Sequence, residues 1–224
     1  ASDVYKRQFA INAIAPGVLA EEAAALDVPL IHYSTDYVFD GSKPTAYDED
    51  DVPNPLGVYG RSKLAGEQAI AAVGGKHLIL RTSWVYSLHG RNFLLTMQRL
   101  LQEREQLSVV ADQIGAPTWA GSIAAATGQL IDRWQTAQTA AWGVYHFTAR
   151  GETSWFGFTE AIATQLLAQG KPVAQLTAIA TREYPTPAQR PLNSRLDCTR
   201  LERDWGVSLP DWHDGLLQCL NSPR

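Results

Sequence analysis

Cysteine is scarce in this chain, which has only Cys198 and Cys219 among its 224 residues. Neither lies in a Cys-x-x-Cys pair, so the sequence predicts no disulfide framework and no cysteine-based zinc site. The five histidines are scattered and lack the spacing of a His-Glu-x-x-His motif, which excludes the common histidine-based metal sites. We therefore expect no metal-ligating residues.

Long apolar runs and an excess of positive charge are also missing. No segment approaches 18 uninterrupted apolar residues, so no transmembrane helix is expected. The amino terminus lacks the basic, apolar and small-residue order of a signal peptide. There are 19 lysines and arginines against 23 aspartates and glutamates, a balance that disfavours a nucleic-acid-binding surface. We expect an acidic cytoplasmic protein with no membrane or nucleic-acid partner.

The glycine-rich turn that opens most nucleotide-binding α/β folds is absent as well. Neither GxGxxG nor GxxGxxG occurs, and the pair Gly74-Gly75 precedes a predicted strand, which is typical of a helix stop. The chain begins on a helix in what looks like the middle of a sheet, so we expect the sheet to lack its first strands. Residues 1–8 fit no predicted element, and we interpret them as a possible junction or sequencing artefact.

What is present is an alternation of amphipathic helices with short apolar runs. Helical spacing predicts helices at 13–26, 59–73, 93–103 and 122–134. The apolar runs predict buried parallel strands at 28–34, 77–86 and 107–112. This order predicts an α/β fold with a doubly wound, Rossmann-like parallel sheet.

From about residue 140 the pattern changes to that of a small second lobe. Here the sequence predicts a short strand, a helix at 154–169, a strand at 176–181 and a short helix near 198–206. Pro185, Pro187 and Pro191 preclude regular structure within 183–197. We expect the loops of this lobe to face the carboxyl ends of the sheet.

The sharpest local motif is Tyr59-Gly-Arg-Ser-Lys63, which opens the second predicted helix. Residues four apart share one helix face, so the ammonium and the phenol lie about one turn apart. A nearby ammonium favours the phenolate and lowers a pKa that is near 10 in the free side chain. A phenol adjusted in this way can exchange a proton with a substrate oxygen.

A second polar cluster follows the strand predicted at 28–34. Ser34, Thr35, Asp36 and Tyr37 come directly after apolar residues, where α/β enzymes place their ligand-binding groups. A hydroxyl here could hydrogen-bond the same carbonyl oxygen that Tyr59 protonates. Each motif alone also fits a structural reading, as a solvated helix pair or a polar turn, and together they favour an active site.

These residues carry a resemblance to the extended short-chain dehydrogenase/reductase family, whose mark is a serine or threonine after a strand and a downstream Tyr-x-x-x-Lys. Within that family the chain resembles the dTDP-4-dehydrorhamnose reductases, from about Phe9 to the carboxyl end. The matching segments are STDYVFDG (34–41), PLGVYGRSKLAGE (55–67), LRTSWVY (80–86), DQIGAPTWA (112–120) and RPLNSRLD (190–197).

The resemblance implies the reduction of dTDP-4-dehydro-β-L-rhamnose to dTDP-L-rhamnose with NADPH, and leaves NADH open. It implies that Tyr59 donates the proton while Lys63 holds the nicotinamide ribose and adjusts the tyrosine. Thr35 would polarise the C4 carbonyl or adjust the tyrosine, and would contact the sugar together with Asp36. Tyr33 would join Tyr59 and Lys63 in binding the cofactor.

The resemblance also implies contacts to the nucleotide end of the substrate. Trp84 would pack against that end, with a place in the core as the alternative for a tryptophan that ends a buried strand. Arg190 and Asn193 would contact the diphosphate, which the planar fork of arginine suits well.

On this resemblance, residues 9–148 are the remaining part of an NAD(P)-binding domain and 149–224 are mainly a substrate-binding lobe. The part expected to be missing binds the pyrophosphate, so the sequence predicts that the chain alone shows no saturable NADPH binding. The resemblance also associates a divalent cation such as Mg²⁺ with the family, although the acidic run at 48–51 lacks ligand spacing. A homodimer is left open.

Two other functions remain as alternatives. One is a reductase-like regulatory or binding subunit that catalyses nothing, which the intact Thr35, Tyr59 and Lys63 disfavour. The other is an NDP-sugar epimerase or dehydratase of the same superfamily. A dehydratase needs an acidic pair after the serine or threonine, which Asp36-Tyr37 does not supply.

The remaining large or charged side chains are interpreted as structural: Trp119, Trp134, Trp142 and Trp205 as packing residues, and Arg81 as a support of the sheet.

Overall fold

The structure is a computed structural model that describes residues 2–136, 141–185 and 190–222. The helices are α1 (Ser2–Phe9), a π-helical turn (Ala10–Ile14), α2 (Ala15–Ala25), α3 (Val58–Val73), α4 (Phe93–Glu103), α5 (Ala120–Thr136), α6 (Trp155–Ala168), α7 (Thr199–Trp205) and α8 (Trp212–Asn221), with 3₁₀ turns at Asp36–Val38 and Thr181–Glu183. The strands are β1 (Leu30–Thr35), β2 (His77–Thr82), β3 (Val85–Tyr86), β4 (Gln106–Val110), β5 (Ile114–Gly115), β6 (Thr118–Trp119), β7 (Gly143–His146), β8 (Thr153–Ser154) and β9 (Gln175–Ile179).

The central sheet is parallel, with the strand order β1-β2-β7. Side chains alternate between its two faces, because successive residues of a strand point in opposite directions. Leu78 and Leu80 of β2 pack with α5 and α7, whereas Ile79 between them packs with α2 and α3. Helices therefore cover both faces, and the predicted α/β, doubly wound parallel architecture is confirmed.

A second layer of the fold differs from the prediction. The strand predicted at 107–112 does not join the central sheet; it is β4, and it pairs in parallel with β9. These two strands pack with α4, α6 and α8 around a separate core that includes Leu101, Leu107, Phe158 and Leu216. The division of the chain at residue 148 stays a prediction, and we propose that α4 and β4 belong with the substrate lobe.

Several predicted boundaries also change. Residues 2–9 form α1, which runs through the π-helical turn into α2, so the interpretation of 1–8 as unplaced is wrong for that helix. The strand predicted at 77–86 is broken after Thr82. The sequence analysis missed α8, although Asp211 caps it and Leu216 and Cys219 are buried. The prediction of irregular structure at Pro187 lies outside the described residues.

The predicted packing residues are confirmed. Trp205 is buried against the central sheet, and Trp134 and Trp142 pack on the same core. Trp119 packs on the core of the second layer. Among the residues that the structure describes, every helix is too short or too polar to cross a bilayer.

Candidate active site

The candidate site lies where β1 ends. Thr35 is the last residue of the strand, and its hydroxyl accepts a hydrogen bond from the Tyr37 amide, which caps the following 3₁₀ turn. The same hydroxyl donates to Asp36 Oδ1 at 3.1 Å and lies close enough to the Tyr59 phenol to lower its pKa. The structure therefore brings together Thr35, Asp36 and Tyr59, which are up to 24 positions apart in the sequence.

Close packing of α3 against the turn after β1 places Tyr59. A Cβ atom on Gly60 would lie 2.1 Å from the Tyr37 carbonyl oxygen, so only glycine permits this approach. The Tyr37 ring meets the Tyr59 ring edge-on, with centroids 5.8 Å apart. Tyr59 remains 44% exposed, which leaves its phenol open to a ligand.

The pKa of Tyr59 shifts in the direction opposite to the prediction. Partial burial raises this pKa, the Thr35 hydroxyl lowers it, and the neighbouring charge of Asp36 raises it further. The expected lowering by Lys63 does not arise, because the ammonium is engaged elsewhere. In this structure the phenol keeps its proton, which is the form a proton donor needs.

Asp36 is a buried carboxyl group beside the phenol, with only 3% of the residue exposed. Burial raises its pKa to about 6, although hydrogen bonds from Ser194 and Thr35 act to lower it. Within the described part of the chain, Asp36 Oδ2 has no hydrogen-bond partner. A carboxylate oxygen in this position is costly to bury, and a hydroxyl-bearing ligand would satisfy it.

Lys63 lies one helical turn beyond Tyr59 and is 9% exposed. Its ammonium donates to the Tyr33 carbonyl oxygen at 2.6 Å and lies 3.2 Å from His32 Nε2. Burial lowers the pKa of Lys63, and the Glu67 carboxylate raises it. Burial and the Lys63 charge lower the pKa of His32 to about 4, so His32 is neutral at pH 7.

Tyr33 lies beside this ammonium but turns its ring away. The ring is on the α5 side of the sheet, where the phenol oxygen lies 2.7 Å from Thr127 Oγ1. Tyr33 is 41% exposed, so both its backbone and its phenol border the open end of β1.

A buried ion pair lies beneath these residues. Arg81 of β2 donates from Nη2 to Glu67 Oε2 at 2.6 Å and from Nε to Glu67 Oε1 at 3.0 Å. The Ser34 hydroxyl donates to the same carboxylate, so one acid connects β1, β2 and α3. The predicted supporting role of Arg81 is confirmed, and Glu67 is a residue that the sequence analysis missed.

A cavity of about 330 Å³ opens between α4, β4 and the loop that carries Arg190. Its lining includes the aromatic residues Phe93, Trp155 and Tyr184 and the cations Arg104 and Arg190. The Arg190 charge also reaches Tyr37, whose pKa it acts to lower, and Tyr37 contacts Tyr59. Arg190 therefore lies within electrostatic range of Tyr37.

Trp84 does not line this cavity, and its predicted contact with the nucleotide stays a prediction. Its ring stacks on Trp155 with centroids 3.5 Å apart, and the Gly115 backbone packs against the same indole. Its φ of +49° is unusual for a residue other than glycine, and the stacking holds it there. The indole that borders the cavity is Trp155, which no local sequence pattern indicated.

Asn193 holds one loop to another, and its predicted diphosphate contact stays a prediction. Its amide nitrogen donates to the carbonyl oxygens of Lys43 and Thr45, each at 2.7 Å. Its side-chain oxygen accepts from the Arg195 amide and guanidinium. Both amide hydrogens are thus used to hold one loop to another, and none remains for a phosphate oxygen.

Replacing Asn193 with alanine should therefore lower stability and leave nucleotide affinity unchanged. Losing these bonds at a buried residue should cost about 1–3 kcal/mol, seen as a lower melting temperature. Leu192→Ala, at the exposed neighbouring position, is the matched control. If the Asn193 variant instead melts normally but binds dTDP more weakly in calorimetry, Asn193 would be assigned to the diphosphate.

Comparisons with known proteins decide the family. The model of the RmlD substrate binding domain family matches residues 1–224. The chain belongs to this family. It is 46% identical to the dTDP-4-dehydrorhamnose reductase of Sinorhizobium fredii (strain NBRC 101917 / NGR234) over 207 residues, which cover 92% of this chain and 70% of that relative. It is 43% identical to the Escherichia coli (strain K12) enzyme of the same name, covering 94% of this chain and 71% of the relative.

A solved structure agrees with these relatives. The dTDP-4-dehydrorhamnose reductase of Bacillus anthracis strain Ames, in complex with NADP, is 36% identical and superposes with a TM-score of 0.84. That match covers 93% of this chain and 71% of that one. The RmlD substrate binding domain fold is therefore shared, with helices on both sides of a parallel sheet.

The divalent cation that the resemblance implied stays a prediction. Across residues 2–136, 141–185 and 190–222, no group of three or more histidine, cysteine, aspartate or glutamate side chains is arranged to hold a metal. Asp48 and Asp51 of the acidic run pair with Lys43, and Asp50 pairs with Arg200. These carboxylates are engaged in ion pairs.

Proposed function

We propose that this chain carries the catalytic residues for NADPH-dependent reduction of dTDP-4-dehydro-β-L-rhamnose to dTDP-L-rhamnose. The observation that carries the proposal is the grouping of Thr35, Asp36 and Tyr59 at the end of β1, in a chain of the RmlD substrate binding domain family. Thr35 is hydrogen-bonded to Asp36, and both residues affect the pKa of Tyr59. The relatives that bear the name of this reductase support the choice of substrate.

The proton is delivered from Tyr59. When the C4 carbonyl oxygen of the sugar lies between the Thr35 and Tyr59 hydroxyls, Tyr59 can donate a hydrogen bond to it, and Thr35 can do so by turning its proton away from Asp36 Oδ1. The raised pKa of Tyr59 keeps the phenol protonated until negative charge develops on that oxygen, which then takes the proton. Asp36 accepts a hydrogen bond from a sugar hydroxyl through Oδ2 and fixes the ring beside the phenol.

The residues at the end of β1 fit the nicotinamide end of NADPH. Tyr33 and Tyr59 are both more than 40% exposed there, and the Lys63 ammonium lies between the strand and the helix. Lys63 would donate to the ribose hydroxyls, and Tyr33 would border the cofactor. When bound, NADPH supplies the hydride for C4. The Bacillus anthracis relative was solved with NADP, which favours NADPH over NADH.

The nucleotide end of the substrate is assigned to the cavity beside Arg190. Its volume of about 330 Å³ lies within the range of small-molecule sites, and it combines aromatic walls with two arginines. The guanidinium groups of Arg104 and Arg190 suit the diphosphate, and Trp155 offers its indole to the base. This assignment keeps the predicted diphosphate role of Arg190 and gives the base contact to Trp155 in place of Trp84.

The test of this function is the oxidation of NADPH in the presence of dTDP-4-dehydro-L-rhamnose, with NADH in a parallel reaction. Because the chain covers 70% of the Sinorhizobium fredii reductase, the assay uses the chain itself and a fusion to the unmatched part of that enzyme. Formation of dTDP-L-rhamnose supports the proposal. Substrate binding without turnover in both proteins would instead favour a non-catalytic subunit, and NADPH-independent conversion would favour an epimerase or dehydratase.

Trp155→Ala should raise KM for the dTDP-sugar about tenfold and leave kcat nearly unchanged, because it removes stacking and buried area that bind substrate and transition state alike. Trp84→Ala should mainly lower the melting temperature, since this indole supports Trp155 from behind. Steady-state kinetics and thermal melts on both variants check this. A normal KM in the Trp155 variant would place the base elsewhere.

Two expectations stay predictions for this function. One is a homodimer, which light scattering coupled to gel filtration would detect. The other is a cytoplasmic location, which fractionation of the source cells would test.

A further inference from the structure

The face of α3 that carries the catalytic residues continues to Glu67. Tyr59, Lys63 and Glu67 recur every four residues, so they follow one another along one side of the helix. That side meets the end of β1, where Lys63 contacts the Tyr33 carbonyl oxygen and Glu67 accepts from Ser34. This face of α3 therefore contacts Tyr33 and Ser34, the two residues that precede Thr35.

Glu67 is almost fully buried, and its carboxylate is hydrogen-bonded to Ser34 and Arg81. Its side chain is 4% exposed, and that of Arg81 is 5% exposed. Ser34 and Arg81 are direct partners in the parallel register of β1 and β2, so the carboxylate bridges adjacent strands at one level. The Arg81 guanidinium lies over the Phe39 ring at 5.2 Å, which packs the pair from the other side.

A buried ion pair such as Glu67–Arg81 adds little to the free energy of unfolding. Desolvating two charges offsets most of their attraction, so buried pairs are often replaceable by apolar residues without loss. Its position is more informative: the carboxylate lies one turn from Lys63, and its hydrogen bond to Ser34 adjoins Thr35. Two titratable groups lie near Lys63: Glu67 on its own helix, which is charged, and His32 on β1, which is neutral. The Arg81 guanidinium faces Glu67.

We propose that Glu67 is a positioning residue for the reduction. It fixes the α3 face that bears Tyr59 and Lys63 against Ser34 and Thr35, and it supplies the negative charge on the same face as the Lys63 ammonium. Arg81 holds that carboxylate in place. This inference rests on the proposed function, because the position matters for catalysis only if Tyr59 and Lys63 act on a substrate.

The test compares Glu67→Gln with the double variant Glu67→Gln/Arg81→Met. The single change keeps the shape and an acceptor for Ser34 but leaves Arg81 without its counter-charge, so it can melt early. The double change removes both charges and should restore much of the melting temperature. Glu103→Gln is the matched control, because it breaks an exposed ion pair with Arg99 on α4.

The first readout needs no turnover. The His32 ring, 3.2 Å from the Lys63 ammonium, reports the loss of the Lys63 proton as an alkaline inflection in its NMR signals. Without the Glu67 charge, Lys63 should lose its proton about one pH unit lower in both Glu67 variants, since a neighbouring opposite charge has an effect of this size or larger. The Glu103 variant should titrate as the parent does.

The second readout is the pH profile of the reductase. We expect kcat at pH 8 to fall about tenfold or more in both Glu67 variants, with the alkaline limb moved to lower pH and KM for the sugar within about threefold. A melting temperature that recovers in the double variant, together with an unchanged His32 inflection and pH profile, would reduce Glu67 to a structural residue. An inflection missing from the parent would also overturn the inference.

Failure of the proposed function looks different. If the parent fusion turns over no dTDP-4-dehydro-L-rhamnose, the function is wrong, while the His32 titration still decides whether Glu67 controls the Lys63 charge. If the parent is active and only the Glu67 variants behave as the Glu103 control does, the function stands and the positioning role is wrong.

Discussion

Replacing Tyr59 with phenylalanine should lower kcat for the reduction by about 10²–10⁴-fold, the usual contribution of general acid catalysis. The ring and its edge-on contact with Tyr37 are kept, so the fold should be unaffected. What is lost is the phenol beside Thr35, which burial and Asp36 keep in its protonated form. KM for the sugar should change little, because the proton is transferred only as the transition state forms.

The measurement is steady-state oxidation of NADPH by the active form of the protein, with a thermal melt beside it. Tyr5→Phe is the matched control, since it removes a phenol from the exposed side of α1. Near-normal turnover in the Tyr59 variant would show that another group donates the proton. A loss of activity accompanied by early melting would leave the catalytic assignment unsupported.

Local sequence patterns predicted the parts of the site that depend on neighbouring residues. The four-residue spacing of Tyr59 and Lys63 sets one helix face, and polar residues after the apolar strand place Thr35 and Asp36 at its end. Helix α4 was predicted at its exact bounds, because its apolar side is strongly periodic. These features are properties of single elements.

Features that depend on distant contacts were not predictable in this way. The pairing of β4 with β9 joins segments about 70 positions apart, and the residues of either strand do not indicate with which strand it pairs. The stacking of Trp84 on Trp155, and the loop contacts that occupy Asn193, also arise only when the chain is folded. The pKa of Tyr59 went the other way because burial, which a motif does not reveal, raises it, while the expected lowering by Lys63 does not arise.

Asp36→Asn should make the protein more stable above pH 6 and a weaker enzyme. In the folded state burial raises the pKa of Asp36 from its ordinary 3.8 to about 6. The folded protein therefore binds the proton more tightly than the unfolded chain, and the stability that this provides is present below about pH 4 and lost as the pH rises through 6. Two pH units correspond to about 3 kcal/mol, the cost of ionising this carboxyl group inside the fold at neutral pH.

Asparagine removes that cost but leaves a buried amide hydrogen near the place of Oδ2, which costs about 1–3 kcal/mol, so the net gain at pH 8 should be at most about 2 kcal/mol. Urea unfolding at pH 4 and pH 8 tests this, because the gain should appear only at the higher pH. Asp132→Asn, on the exposed side of α5, is the control for a change of charge alone.

The same variant should raise KM for the dTDP-sugar about tenfold or more, since a hydrogen bond to a charged acceptor is worth about 1.5–3 kcal/mol. A gain in stability coupled to weaker substrate binding is the expected mark of a group kept for function at a cost to the fold. Equal destabilisation of the variant at both pH values would instead mean that Asp36 serves the structure, and the sugar contact would have to be assigned to another residue.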